Sequence, residues 1–127
     1  MSCILDTHTV LWFLGDVDKL SRKAYDVILN PTNKKYVSIV SAWEIAIKIS
    51  LNKLDFEGGV GNFFNKVEDN GFELLRIDPK HIGELEKLPF HHRDPFDRLL
   101  IATAISENIC LITADTALRK YNASCIW

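Results

Sequence analysis

Short apolar runs alternate with amphipathic stretches along the chain. Cys3-Ile4-Leu5 is a continuous apolar run closed by Asp6, and Val10, Leu11, Trp12, Phe13 and Leu14 follow at once. This is a strand running straight into a helix. Asp16 to Lys19 is a polar connection, and Ser21 caps a helix over Arg22 to Leu29, with Ala24, Tyr25, Ile28 and Leu29 on its apolar side. Asn30-Pro31-Thr32-Asn33 stops it, and the β-branched run Tyr36-Val37-Ser38-Ile39 predicts a second strand. Ser41-Ala42-Trp43-Glu44 has the Ser-x-x-Glu spacing of a capping box ahead of Ile45, Ile47, Ile49 and Leu51. A helix is therefore expected to begin at Ser41.

Beyond the connection Asp55 to Gly61, Phe63, Phe64 and Val67 predict a helix from about Val60 to Asn70, ended by Gly71. A third strand, Glu73 to Ile77, and a helix, Pro79 to Leu88, come next. Pro89 to Arg93 is irregular and partly basic. Asp94-Pro95-Phe96-Asp97 then opens the most apolar helix, Arg98 to Ser106, since Pro after Asp is a strong start signal. Ile109 to Ile112 is a fourth strand, Thr113-Ala114-Asp115 leads into a short helix, and Ser124-Cys125-Ile126 is a last short strand. Trp12, Trp43 and Phe96 read as core. The alternation predicts an α/β fold: one domain over residues 1–127, a central and mostly parallel sheet of four to five strands, and helices on both faces.

Composition sharpens this reading little. A chain of 127 residues, 47% of them hydrophobic and 25% charged, suits one soluble domain with one core. No apolar run reaches the 18 or so residues of a spanning helix, and no charged leader with a hydrophobic core opens the chain, so a cytoplasmic location with no membrane contact is expected. Cys3, Cys110 and Cys125 all fall in predicted strands, as reduced core thiols would. The net charge of −2 argues mildly against non-specific nucleic-acid binding. It argues less against a nuclease, because a carboxylate cluster lowers the sum and a bound cation restores it locally.

Four acids stand at comparable places: Asp6, Glu44, Asp97 and Asp115. Each has an ordinary structural role open to it at a helix start, as a cap or as the reciprocal partner of Ser41, worth about 0.3–1 kcal/mol. Together they say more. Asp6 and Asp115 directly follow strands, and Glu44 lies a few residues beyond one, so a parallel sheet gathers them on one edge. Asp97 begins the buried helix that packs on that sheet. Four carboxylates on one rim repel unless a cation lies between them, and an all-oxygen set suits Mg²⁺ or Mn²⁺.

The segments Ile4-Leu5-Asp6-Thr7-His8, Ser41 to Lys48, Asp94 to Ala102 and Leu111-Ile112-Thr113-Ala114-Asp115 resemble, in order and spacing, the successive motifs of the PIN-domain family. The likeness spans essentially the whole chain and is greatest to the VapC-type toxin ribonucleases of toxin–antitoxin pairs. It implies a single PIN-like domain with Mg²⁺- or Mn²⁺-dependent endoribonuclease activity, hydrolysing RNA phosphodiesters with a metal-activated water. It further implies that Asp6, Glu44, Asp97 and Asp115 are both catalytic and metal-holding, that Thr7 and Thr113 supply hydroxyls beside them, and that the partners are RNA, a cognate antitoxin and a second copy of the chain. Asp94 aligns less well than Asp97 and is expected to cap the helix, with access to the site through water left open.

Among other residues, Arg93 and Arg98 are expected phosphate contacts if RNA enters beside Asp97. Lys48, one turn after Glu44, is an ion-pair partner or a substrate contact. His91 and His92, adjacent on an irregular stretch, read as a solvated loop, and His8 as a structural residue. Two other function classes fit the same pattern: a DNA or flap-type nuclease, and a non-catalytic module that keeps the fold only to bind a partner. A haloacid-dehalogenase-like phosphatase needs Asp-x-Asp where this chain has Asp6-Thr7-His8.

Overall fold

The computed structural model describes residues 1–127. Five strands form one sheet in the order β3-β2-β1-β4-β5, and every pairing is parallel. They are β1 (Ser2–Leu5), β2 (Lys34–Ser38), β3 (Glu73–Leu75), β4 (Cys110–Ile112) and β5 (Cys125–Ile126). The helices are α1 (Thr7–Gly15), α2 (Arg22–Leu29), α3 (Ile39–Ser50), α4 (Gly59–Asp69), α5 (Pro79–Lys87) and α6 (Pro95–Glu107). The expected fold class is the one observed.

The central strands read as unbroken apolar runs because both faces of the sheet are covered. One face carries Cys3, Leu5, Val37, Ile112 and Ile126 against Val10, Ala24, Ile28, Ala42, Ile45, Phe63 and Val67, side chains of α1 to α4. The other carries Ile4 and Leu111 against Leu100, Ile101, Ala102 and Ala104 of α6, with Val40, Leu88, Leu118 and Tyr121. Consecutive residues Ile4 and Leu5 thus enter different cores, as the period-two geometry of a strand requires. Entry to α4 needs a backbone turn at Gly58, whose φ is +78°. A Cβ there would also come within 2.7 Å of Asn62 Cβ.

Several boundaries differ from those expected. The third helix begins at Ile39, capped by Ser38, whose hydroxyl accepts from the Val40 N–H at 3.0 Å. Ser41 is therefore inside the helix, no capping box forms with Glu44, and Ile39 leaves the strand. The β-branched pair Ile39-Val40 carries a strand preference, but Val40 is drawn into the core beside α6 as part of the first helical turn. The third strand stops at Leu75 rather than Ile77. The short helix after Asp115 is only a 3₁₀ turn, Leu118–Lys120, and a second such turn, Val17–Lys19, occupies the polar connection. Trp43, expected in the core, is 59% exposed and meets Phe96 edge to face at 5.0 Å. No helix is long and apolar enough to cross a membrane.

Candidate metal centre

The C-terminal ends of β1 and β4 lie side by side, and each delivers an acid. Asp6 follows β1, and its N–H donates to Ile112 O at 3.1 Å, which holds it against the end of β4. Its Oδ1 accepts from Thr9 N at 2.8 Å, so Asp6 does cap α1. That bond engages one oxygen of a buried carboxylate. Thr9 Oγ1 adds a second tie to Ile112 O at 3.0 Å. Thr7 Oγ1, the hydroxyl beside Asp6, donates to Ser41 Oγ at 2.9 Å, fastening the start of α1 to α3. Ser41 thus spends its hydroxyl on α1 and not on its own helix.

Glu44 lies in the second turn of α3 with its side chain buried. Oε2 pairs with Lys48 Nζ at 3.0 Å, the i,i+4 ion pair that the spacing allowed. Oε1 is buried and accepts no hydrogen bond. A buried acceptor left without a donor costs about 1–3 kcal/mol, and more when charged, so this oxygen marks a place built for something else.

Asp97 is the third residue of α6. Burial, followed by the charges of Asp94, Asp6 and Glu44, pushes its carboxyl up to about 7, against a smaller opposing effect of His92. Three acids therefore act on the fourth through a poorly solvated space. Asp94 fills the N-cap role: its Oδ1 accepts from Phe96 N at 2.8 Å and Asp97 N at 3.1 Å. Asp115, on the turn after β4, accepts from Ala117 N through Oδ1 at 2.9 Å, and its own N–H donates to Thr113 Oγ1 at 3.0 Å. Thr113 thus shapes the turn that presents Asp115.

One residue at the centre escaped the sequence reading. His92 Nε2 lies 2.8 Å from Asp115 Oδ2 and 3.3 Å from Asp97 Oδ2, on the chain segment just before the α6 cap. The expectation of a solvated loop rested on two neighbouring histidines being unable to face one site. The structure separates them: His91 is exposed and packs against the Tyr121 ring, while His92 turns to the acids. The available signal was the spacing of His92 two residues before Asp94, which lets Nδ1 accept from the Asp94 N–H at 3.0 Å.

Two other expected contacts fare differently. Arg98 is buried, with Nη1 donating to Pro89 O at 3.0 Å and Tyr121 Oη at 3.2 Å, and its guanidinium covers the Phe90 ring at 4.0 Å. Its donors are turned inward, so it fastens the 89–93 segment instead of reaching a phosphate. Arg93 is exposed, as a substrate contact requires.

The donor set is carboxylate oxygen throughout, including one buried oxygen with no partner and one carboxyl held up by burial and by its neighbours' charge. A hard divalent cation answers both features, since it supplies the missing partner of Glu44 Oε1 and removes the repulsion felt at Asp97. Asp6, Glu44 and Asp97, with Asp115, are the residues that fit it.

The PIN domain family model matches residues 3–123. Ribonuclease VapC22 of Mycobacterium tuberculosis is 26% identical over 119 residues, covering 93% of this chain and 90% of that protein. Among solved structures, the DNA-bound VapBC2 complex of Rickettsia felis aligns with a TM-score of 0.77 at 16% identity, covering 99% of this chain and 98% of the matched one. The DNA-bound VapBC complex of Salmonella typhimurium gives 0.71 at 15% identity (99% and 97%). VapBC-1 of nontypeable Haemophilus influenzae gives 0.69 at 17% (99% and 97%). With a family match running from β1 to beyond β4 over a five-stranded parallel sheet, this chain belongs to the PIN domain family.

Proposed function

We propose that the chain is a metal-dependent endoribonuclease, the toxin of a VapBC-type toxin–antitoxin pair, acting on RNA in the cytoplasm. The observation that carries this reading is the pairing of a buried, partnerless Glu44 Oε1 with an Asp97 carboxyl raised by burial and then by Asp94, Asp6 and Glu44. The likeness to a protein named as a ribonuclease supports the reaction class, and the likeness to VapBC complexes supports an antitoxin partner.

Asp6, Glu44, Asp97 and Asp115 would hold Mg²⁺ or Mn²⁺. Such an ion supplies activation of water and neutralisation of phosphoryl charge. The chain supplies the rest. The β1–β4 pairing puts Asp6 and the turn that carries Asp115 at the same end of the sheet, the Thr7–Ser41 bond ties α1 to the helix that carries Glu44, and Asp94 caps the helix that carries Asp97. Lys48 neutralises one oxygen of Glu44, and exposed Arg93 stands near enough in sequence to the α6 start to bind a phosphate flanking the cut bond. Trp43 on α3 and Leu51 at its C-terminal cap, both more than half exposed, are the apolar side chains we assign to contact with a second copy of the chain in a homodimer.

The test is cleavage of a total-RNA pool by purified protein in Mg²⁺, Mn²⁺ or EDTA, with Asp6→Asn and Asp97→Asn beside the wild type and single-stranded DNA in parallel. Metal-dependent RNA cleavage absent from both variants is expected. Cleavage that survives both variants, or falls on DNA alone, removes the reading.

A further inference from the structure

We infer that His92 is a positioning residue of this centre: it donates its Nε2 proton to Asp115, stands beside Asp97, and holds Asp115 in place for the metal, without itself being a ligand. The inference rests on the proposed metal site and adds a residue to it.

The tautomer follows from the hydrogen bonds. His92 Nδ1 lies 3.0 Å from the backbone nitrogen of Asp94, which has only a proton to offer, so Nδ1 is the acceptor. The ring proton is then on Nε2, which donates to Asp115 Oδ2 at 2.8 Å and lies 3.3 Å from Asp97 Oδ2. A nitrogen that carries this proton has no lone pair for a cation. Although His92, Asp97 and Asp115 lie close enough together to resemble a three-ligand site, the backbone of Asp94 assigns the histidine to the second layer.

The rest of the segment exists to hold this ring still. Tyr121 Oη receives the N–H groups of His91 at 3.1 Å and His92 at 3.0 Å, and Arg98 reaches the same oxygen at 3.2 Å. Arg98 also binds Pro89 O. His92 therefore has its backbone, its Nδ1 and its Nε2 all engaged. Asp115 needs such a brace. It stands on a turn outside regular structure with its side chain 38% exposed, and its only other side-chain bond is the local one to Ala117 N. Outer-layer partners of this kind change metal affinity by roughly 10–100-fold when removed.

Mn²⁺ binding followed by electron paramagnetic resonance, with no RNA present, tests this on wild type, His92→Ala, His92→Gln and Asp6→Asn. His92→Ala should bind Mn²⁺ about 10–100-fold more weakly. His92→Gln, whose amide places a donor near the Nε2 position, should recover most of that loss. The wild-type Mn²⁺ signal should show no coupling to a histidine nitrogen. In the metal-free protein, ¹⁵N–¹H correlation of the imidazole rings should show His92 with its proton on Nε2, a readout that needs no variant to fold. Nitrogen coupling to Mn²⁺, a proton on Nδ1, or wild-type affinity in His92→Ala would each overturn the inference while leaving the ribonuclease reading standing. Failure of the wild type to bind Mn²⁺ more tightly than Asp6→Asn would overturn both.

Discussion

Glu44 Oε2 and Lys48 Nζ stand 3.0 Å apart along one side of α3, while the other oxygen of the same carboxylate is buried with nothing to accept from. An ion pair that satisfied the acid for stability alone would leave no such oxygen. The lysine cancels part of the charge from one side, and Glu44 is one of the acids whose charge, after burial, raises the Asp97 carboxyl. Glu44→Gln should therefore lower cleavage by about 100-fold or more, as loss of a group that acts on the transition state does. Its melting temperature without metal should be equal to or above that of the wild type. Thermal unfolding with and without Mn²⁺, beside a cleavage assay, checks both halves.

Asp6→Asn separates the two duties of its side chain. Asparagine is as good an N-cap as aspartate, so the bond to Thr9 N survives and helix α1 keeps its start. The charge is lost. Circular dichroism and melting without metal should stay close to wild type, whereas RNA cleavage in Mg²⁺ should disappear. Equal activity would remove Asp6 from the metal centre.

The raised carboxyl of Asp97 sets a pH dependence with a definite sign. Its folded value of about 7 lies above the ordinary 3.8, so between these limits the folded chain binds more protons than the unfolded one. Stability of the metal-free protein should then fall as pH rises from about 4 to 7 and level off above. Asp97→Asn should flatten this slope and raise the melting temperature of the metal-free protein at pH 7.5 by several degrees. Mn²⁺ affinity should increase over the same interval, because the ion must displace that proton. Melting curves at several pH values, with and without Mn²⁺, measure all three.

Ser38→Ala and Ser41→Ala decide where α3 begins. Ser38 caps the helix at Val40 N, and its loss should cost about 1 kcal/mol, with little change in metal affinity. Ser41 takes the Thr7 hydroxyl instead, so Ser41→Ala should loosen the α1–α3 junction and weaken Mn²⁺ binding several-fold. Denaturant unfolding and Mn²⁺ titration of the two variants distinguish these outcomes.

Arg98→Met tests the inward assignment of that side chain. It leaves the carbonyl of Pro89 without its buried donor and removes one of three donors to the Tyr121 hydroxyl, a loss of about 1–3 kcal/mol. The salt dependence of RNA binding should not change, since no phosphate contact is removed. For Arg93→Met the pattern should reverse, with unchanged stability and a shallower salt slope.

The sheet was legible because unbroken apolar runs such as Ile4-Leu5 and Leu111-Ile112 need cover on both faces, and the acids that close those runs mark its C-terminal edge. Local chemistry was harder to read. Ser41-x-x-Glu44 carries a capping signature, yet Ser38 wins because the strand ends there and Val40 must turn into the core. Exposed Trp43 looked like core because aromatic spacing says nothing about which helix covers it. For His92 only the local half was legible, its spacing from Asp94. Its meeting with Asp115 joins residues 23 apart in sequence, through a segment whose shape is set by Tyr121 further along. No window of the chain contains all three.

The contact between the ends of β1 and β4 also bears on how the protein comes into being. Thr9 and Ile112, which bond across this junction, are 103 residues apart in sequence. Closing so long a loop is entropically costly and comes late compared with the winding of a helix. The same closure brings Asp6 to Asp115. A chain with only its early helices and the β1–β2 pair in place would hold two of the four acids and no centre. On the proposed function, cleavage is tied to global folding, and a partly folded or truncated chain is expected to leave RNA intact.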